Sequence, residues 1–278
     1  MTFQRVRSWH YLLLALFSLA IVALPLSPAS ADLSRTFYTD DLSPYQLTNL
    51  TADDERALGE AIDAYLKQNG LKLYDKEPTV VAYIDRVGQR LVVASPTQAM
   101  FTFQVVEDDN PNAFATLGGF IYINTGLLRQ IRNEAELAGV LAHEIGHIQQ
   151  QDGLNQLWLQ LTVHQLAGLE QGLQQRLIAW GGTLRSLANS HEDEYSADAL
   201  ALRLLGQAGY AQIGLLSLLQ RLISEPTGPT NPSMISTHPS PQRRLAHLQG
   251  LWETELTATA TDGQTEPPYQ TNIAPINR

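Results

Sequence analysis

Residues 141–150 read LAHEIGHIQQ, which sets His143 and His147 four apart with Glu144 directly after the first. In a helix, residues i and i+4 lie one turn apart on the same face. Both imidazoles can therefore turn toward one ion. Zinc accepts neutral histidine nitrogen at about 2.0–2.1 Å, and a catalytic zinc keeps three protein ligands plus a water. Glu144 neighbours the first ligand rather than joining the pair, so it reaches a zinc-held water and not the zinc. The metal lowers the pKa of that water, and the glutamate takes its proton during attack on a carbonyl. The competing reading is a polar patch on an ordinary helix, because a bare HExxH match also arises by chance. The surroundings favour a site. Leu137, Val140, Leu141, Ile145 and Ile148 make the segment apolar on more than one side, hence buried, and buried imidazoles and carboxylates need partners. Gly146 costs such a helix about 1 kcal/mol against alanine, which makes sense if another element packs closely there.

Two histidines leave a catalytic zinc one ligand short. The chain has no cysteine, so the third must be His, Asp or Glu. The segment NSHEDEYSADALALRLLG, residues 189–206, is the best source. Leu187, Tyr195, Ala199, Leu202 and Leu205 suggest a helix, on which Glu194 and Asp198 share a face at i, i+4. One can bind zinc while the other holds a ligating histidine by its second nitrogen. Ser196 and Ala197 are small enough to let two helices approach. Taken alone, Glu192, Asp193 and Glu194 read as a solvated acidic run.

The elements that must position these groups follow from periodicity. Residues 1–31 carry Arg5 and Arg7, the apolar run YLLLALFSLAIVAL and the small-residue stretch SPASA, the order of a secretory signal peptide with cleavage near Ala31. The apolar run is short of the roughly 20 residues that span a bilayer, although an uncleaved anchor is the alternative. Residues 32–50 read as irregular. Thr51 with Asp54 opens a first helix, and Pro78 opens a second. In FTFQVV, Phe101, Phe103 and Val105 alternate as in a half-buried strand. NAFATLGGFIYIN reads as two short strands around Gly118-Gly119. A short helix over 125–131 and a helix capped by Asn133 with Glu136 follow, then further helices near 154–180, 184–206, 211–224 and 243–251. The stretch 154–169 is too interrupted by polar residues to span a membrane and reads as a helix packed on protein and partly membrane-facing. From residue 253 the chain is rich in Thr and Pro, so residues 253–278 are expected to form a disordered tail. The expected fold class is α+β: one mostly helical domain over 51–252, with a small β-sheet packed against one helical layer beside the HExxH helix. With 18 basic against 28 acidic residues and a net charge of −10, binding to nucleic acid or to an anionic membrane by electrostatics is excluded. Without cysteine there is no disulfide, thiolate metal site or catalytic thiol.

HEIGH followed by EYSAD resembles the zinc metallopeptidase family of the HtpX heat-shock peptidases, the CAAX prenyl peptidases and the mitochondrial Oma-type peptidases. Within it the chain is most similar to the soluble exported BepA-type branch. NAFATLGGFIYINTGLL resembles the segment before the family's zinc helix, STHPSPQRRL its later His-Pro loop, and GQAGY the end of its third-ligand helix. The similarity covers about residues 50–250. It implies one zinc per chain held by His143, His147 and Glu194, with Glu144 as catalytic base and Asp198 as the aspartate behind a ligand. Glu192 or Asp193 as ligand is an alternative register, but only Glu194 fits E-x-x-A-D. His191, three residues earlier, only approximately shares the face. His238 joins the candidate catalytic residues. It could reach the open zinc position, stabilise the oxyanion, or act only as a capping loop residue, and in the exported branch a histidine of this loop is expected to sit over the zinc and keep the site closed. Arg244 could pair with a carboxylate near the site. Asn112 and Phe114 sit where an edge strand would hold an extended peptide, or where an ordinary hairpin would pack on the core.

The activity so implied is that of an exported zinc metalloendopeptidase in protein quality control of the cell envelope. It would work in the periplasm or an equivalent extracytoplasmic compartment, on misfolded or unassembled envelope proteins, with peripheral contact to the membrane or to envelope assembly complexes. The rival expectation is a chaperone-like or assembly-partner binding protein with latent peptidase activity.

Overall fold

The computed structural model describes residues 50–97, 99–166, 173–183, 189–224, 237–238, 240–255 and 261–277. The expected signal peptide, the irregular segment up to residue 49, and Leu187 lie outside the described residues. Two helices come first, α1 (Ala52–Gln68) and α2 (Pro78–Ala94). Strands β1 (Thr102–Val106), β2 (Ala113–Ala115) and β3 (Phe120–Asn124) follow. Then come α3 (Thr125–Gln130), α4 (Glu134–Gln149), α5 (Asp152–Leu166), α6 (Leu173–Thr183), α7 (His191–Gln207), α8 (Ile213–Ser224), α9 (Pro241–Glu255) and α10 (Glu266–Ile273). The expected α+β class and the mostly helical character hold.

Local signals account for the boundaries. Thr51 and Asp54 close a reciprocal capping box on α1, satisfying two donors that the helix itself leaves unpaired. Pro78 starts α2. Asn133 caps α4 by accepting from the Glu136 backbone N–H at 2.9 Å. The Glu136 carboxylate does not complete a box with Asn133. It takes the Arg132 backbone N–H at 2.9 Å and the Arg221 guanidinium of α8 at 2.6 Å instead, because a buried carboxylate gains more from a cation than from a neutral amide.

The sheet has strand order β1-β3-β2, with β1 parallel and β2 antiparallel to β3. Every residue of β3 is buried, which a sheet with one wet face would not show. Ile121 and Ile123 face a core shared with α2, α4, α7 and α8. Phe120 and Tyr122 face a second core with Leu58, Ile62 and Leu66 of α1, Leu154 and Leu157 of α5 and Trp180 of α6. The sequence reading had one helical layer on the sheet, whereas α1, α5 and α6 supply a second.

Helix α4 is buried along nearly its whole length, from Ala135 to His147, and glycines bring its neighbours in. A Cβ on Gly146 would stand 3.0 Å from the Ala197 carbonyl oxygen of α7, and one on Gly214 of α8 only 2.3 Å from the Ala135 oxygen. The close approach inferred at Gly146 is therefore made by the helix that carries Glu194.

The expected disordered tail is corrected in its second half. Tyr269, Ile273 and Ile276 recur at i, i+4, i+7 and are buried in the main core; a few apolar residues on one helical face suffice where a core is waiting. The Tyr269 hydroxyl donates to the Leu128 carbonyl at 2.6 Å, and Gly263 O accepts from the Ala135 N–H at 3.0 Å. The tail thereby satisfies a backbone donor in the first turn of α4 that has no partner within the helix. Among the described residues, no helix is long and apolar enough to cross a membrane. Tyr269→Ala should lower stability by about 3–5 kcal/mol, the usual cost of emptying a buried aromatic site, read as a shift in the urea midpoint of the metal-free protein.

Candidate metal centre

Helices α4 and α7 make the most extensive helix pairing of the fold. His143, Glu144 and His147 come from α4, and Glu194 and Asp198 from α7. His238 comes from the turn before α9, and Arg244 from α9 itself. None of the seven is more than 5 % exposed.

Four of them converge. His143 Nε2 lies 3.0 Å from His147 Nε2 and 3.3 Å from His238 Nδ1. Glu194 places Oε2 3.4 Å from His143 Nε2, and Oε1 3.4 Å from His147 Nε2 and 3.0 Å from His238 Nδ1. Ligands about 2.0–2.1 Å from a tetrahedral zinc stand about 3.3 Å from one another, so these separations are those of one coordination sphere.

The outward nitrogens fix which atoms face inward. His143 Nδ1 is 2.9 Å from Asp198 Oδ1, and His147 Nδ1 is 2.7 Å from Asp152 Oδ2. Carboxylates only accept, so both Nδ1 atoms carry the proton and both Nε2 lone pairs point at the cluster. His238 Nε2 faces the Ala113 carbonyl oxygen at 3.4 Å and Glu144 Oε1 at 3.6 Å. Its Nδ1 stands 3.0 Å from Glu194 Oε1, also an acceptor, so both ring nitrogens face acceptors and Nδ1 is the one directed into the cluster. The Nε2 lone pairs of His143 and His147, the Nδ1 of His238 and the Glu194 carboxylate then converge in a buried space, an arrangement that a cation among them would stabilise. His143, His147, Glu194 and His238 form the group of described residues able to hold a metal ion. The donor set, imidazole with one carboxylate, suits zinc.

Electrostatics point the same way. Burial works against a charge on His147, yet the hydrogen bonds to Asp152 and Glu194 and the Glu144 charge push its pKa up to about 10. The pocket draws in positive charge even as a bare proton. Burial likewise opposes ionisation of Asp198, but Arg244 and His143 hold its carboxyl at about 2. Arg244 grips Asp198 with Nη2 at 2.7 Å and Nε at 2.9 Å, a bidentate pair that fixes the carboxylate behind His143. Its Nη1 stands 3.0 Å from Glu194 Oε2. That contact is an ion pair without hydrogen-bond geometry, for Oε2 has no hydrogen-bond partner.

Glu144 lies beside the cluster and outside it. It lines a cleft together with Phe114, Thr116, His147, Asp152, Asn189 and His238. The alternatives for a third ligand fall elsewhere. Glu192 is exposed, and the Asp193 carboxylate is spent on the Ser190 N–H in a capping box. His191 stacks near Tyr195, with ring centroids 6.5 Å apart. Asn112 is buried, its Oδ1 accepting from the Thr237 hydroxyl at 3.3 Å, and the Phe114 ring stacks on Tyr122 at 4.6 Å.

Two participants went unread in the sequence. Asp152 opens α5 after Gln151, which takes a positive φ of 60°. That turn folds the chain back on α4 and brings the carboxylate to His147, a reversal that no helical periodicity signals. Asn189 donates from Nδ2 to Glu194 Oε1 at 2.9 Å, and had no motif to mark it.

The family model for peptidase family M48 matches residues 78–252. The chain belongs to this family. It is 30 % identical over 227 residues to the beta-barrel assembly-enhancing protease of Yersinia pestis, covering 71 % of this chain and 43 % of that protein. It is 29 % identical to a protease HtpX homolog of Acidiphilium cryptum, covering 63 % and 74 %. To the mitochondrial metalloendopeptidase OMA1 of Schizosaccharomyces pombe it is 24 % identical, covering 73 % and 63 %. The chain spans about half the length of the beta-barrel assembly-enhancing proteases it matches. The resemblance drawn from HEIGH and EYSAD thus holds for the family and for the BepA-type branch.

Asp152→Asn should lower zinc affinity about 10–100-fold, the usual effect of removing a carboxylate that holds a ligating histidine. Competition with a chromophoric chelator reads it directly.

Proposed function

We propose that the chain is a zinc metalloendopeptidase in which His143, His147 and Glu194 hold the metal and Glu144 is the general base. The observation that carries this is the convergence of inward-facing lone pairs on α4 and α7, with a buried glutamate adjacent to them and not part of them. Zinc bound there would supply a Lewis acid that acidifies water and polarises a carbonyl. Glu144 takes the proton from the attacking water as its oxygen adds to the scissile carbonyl carbon. It then delivers that proton to the amine as the C–N bond breaks. Asp152 and Asp198 keep both imidazoles in the tautomer that leaves Nε2 free. Among the described residues strand β2 pairs only with β3, and its residues Phe114, Ala115 and the following Thr116 line the cleft. Its outer edge suits an extended peptide held by main-chain hydrogen bonds.

His238 stands in the way of such a substrate. Its Nδ1 is aimed into the cluster as a fourth donor, and its Nε2 contacts the Ala113 carbonyl on β2. We read this as a closed resting site, in which His238 must swing away to free both the fourth position and the strand edge.

The names of the assembly-enhancing relatives, together with the signal-peptide pattern of residues 1–31, support work on misfolded or unassembled envelope proteins after export. A chaperone-like contribution beside proteolysis is a second reading, favoured by the closed site, and would show as partner binding unaffected by Glu144→Gln.

The purified protein should contain about one zinc and cleave an unfolded substrate such as casein; a folded protein with no affinity for zinc overturns the proposal. Glu144→Gln should lower cleavage by about 10²–10⁴-fold, the usual worth of a general base, with zinc content unchanged. His238→Ala should retain zinc on three ligands and raise cleavage, whereas a loss of activity would assign His238 to the chemistry.

A further inference from the structure

Asn189 stands at the junction of three elements and takes no part in the reaction outlined above. Its Nδ2 donates to Glu194 Oε1 at 2.9 Å and lies 3.2 Å from His147 Nε2. Its Oδ1 accepts from Gln156 Nε2 of α5 at 2.9 Å. Its backbone N–H donates to the Thr237 carbonyl at 3.2 Å, next to His238. The amide has one workable orientation. Glu194 can only accept and the Gln156 NH₂ can only donate, so the two ends are claimed by opposite partners.

This matters because the Glu194 carboxylate is contested. Arg244, its Nε and Nη2 already on Asp198, sets its remaining Nη1 3.0 Å from Oε2, and a buried cation attracts that oxygen. The terminal torsion of a glutamate is soft. Nothing in the backbone of α7 stops the group from rotating toward Arg244 and out of the cluster. Asn189 Nδ2 holds Oε1 on the other side at 2.9 Å, with His238 Nδ1 3.0 Å from the same oxygen, while Oε2 is buried without a hydrogen bond.

We propose that Asn189 is a positioning residue for Glu194: held by Gln156, it fixes the rotation of the carboxylate against the pull of Arg244 and so keeps an oxygen directed at the metal position. This rests on the metal-centre reading. The Thr237 contact is made by the backbone and survives substitution of the side chain, so the effect of a variant belongs to the amide.

The test is zinc affinity of the purified protein by chelator competition. Asn189→Leu should weaken binding about 10–100-fold, the range seen when an outer partner of a ligand is lost, with the urea midpoint in EDTA at the wild-type value. Because Asn189 acts through Glu194, the loss must vanish in a Glu194→Ala background, where three histidines remain. An unchanged affinity for Asn189→Leu, or an equal loss in both backgrounds, overturns the assignment. Should Asn189→Leu not fold, Gln156→Met leaves Asn189 present but unanchored. It should give a smaller loss that also disappears with Glu194→Ala, and no loss there overturns the proposal equally. A wild-type protein that binds no zinc fails the metal centre itself, an outcome distinct from a wild type that binds zinc and a variant that binds it as well.

Discussion

Three imidazoles and a carboxylate gathered inside a protein core are the constraint on which the rest of this structure depends. His143, His147, His238 and Glu194 face inward across 3.0–3.4 Å. The groups are held inward because the opposite nitrogen of each histidine is already engaged, His143 by Asp198, His147 by Asp152 and His238 by the Ala113 carbonyl. Such a group favours a cation at its centre, so a metal would be part of what holds α4, α7 and the His238 turn together as well as a reagent. Burial sharpens the demand. At low dielectric each unpaired acceptor is costly.

The fold meets that demand with close helix packing and with an outer ring of charges. Gly146 lets α4 and α7 approach to backbone contact at Ala197, so that a carboxylate as short as Glu194 reaches two imidazoles on the neighbouring helix. Behind the ligands, Asp198 and Asp152 each hold one histidine, and Arg244 neutralises part of the negative charge they bring. The balance stays negative, with Glu144, Asp152, Glu194 and Asp198 against a single guanidinium. That is why His147 is driven toward its protonated form.

Elements far from the centre serve it by fixing α4. The tail segment with Tyr269 and Ile273 lies over the same core and hands the Gly263 carbonyl to the first turn of α4. Arg221 of α8 neutralises Glu136 in that turn at 2.6 Å. Residues of strand β2 border the cleft, and Thr237 and His238 line it as well. The same few residues thereby join the metal cluster and the edge of the sheet.

The local code was sufficient for what is local. Spacing on one helix set His143, Glu144 and His147 in relation to one another. The same i, i+4 rule paired Glu194 with Asp198, the capping patterns placed the starts of α1 and α4, and alternation marked the strands. The missing third ligand was inferable because a two-histidine site is incomplete and cysteine is absent. Asp152 was not legible, since its approach to His147 depends on a left-handed turn at Gln151. Nor was Asn189, whose partners come from α5, α7 and the His238 turn, nor the second helical layer on the sheet. The tail was misread because composition averages over residues, while three apolar side chains on one helical face are enough to dock where a core already exists. The sequence by itself therefore brought out the groups suited to a metal and, through the family resemblance, the candidate base. Only the tertiary structure decided which further groups hold those side chains, and that His238 joins the cluster, because those contacts join segments whose separation in the chain carries no periodic signal.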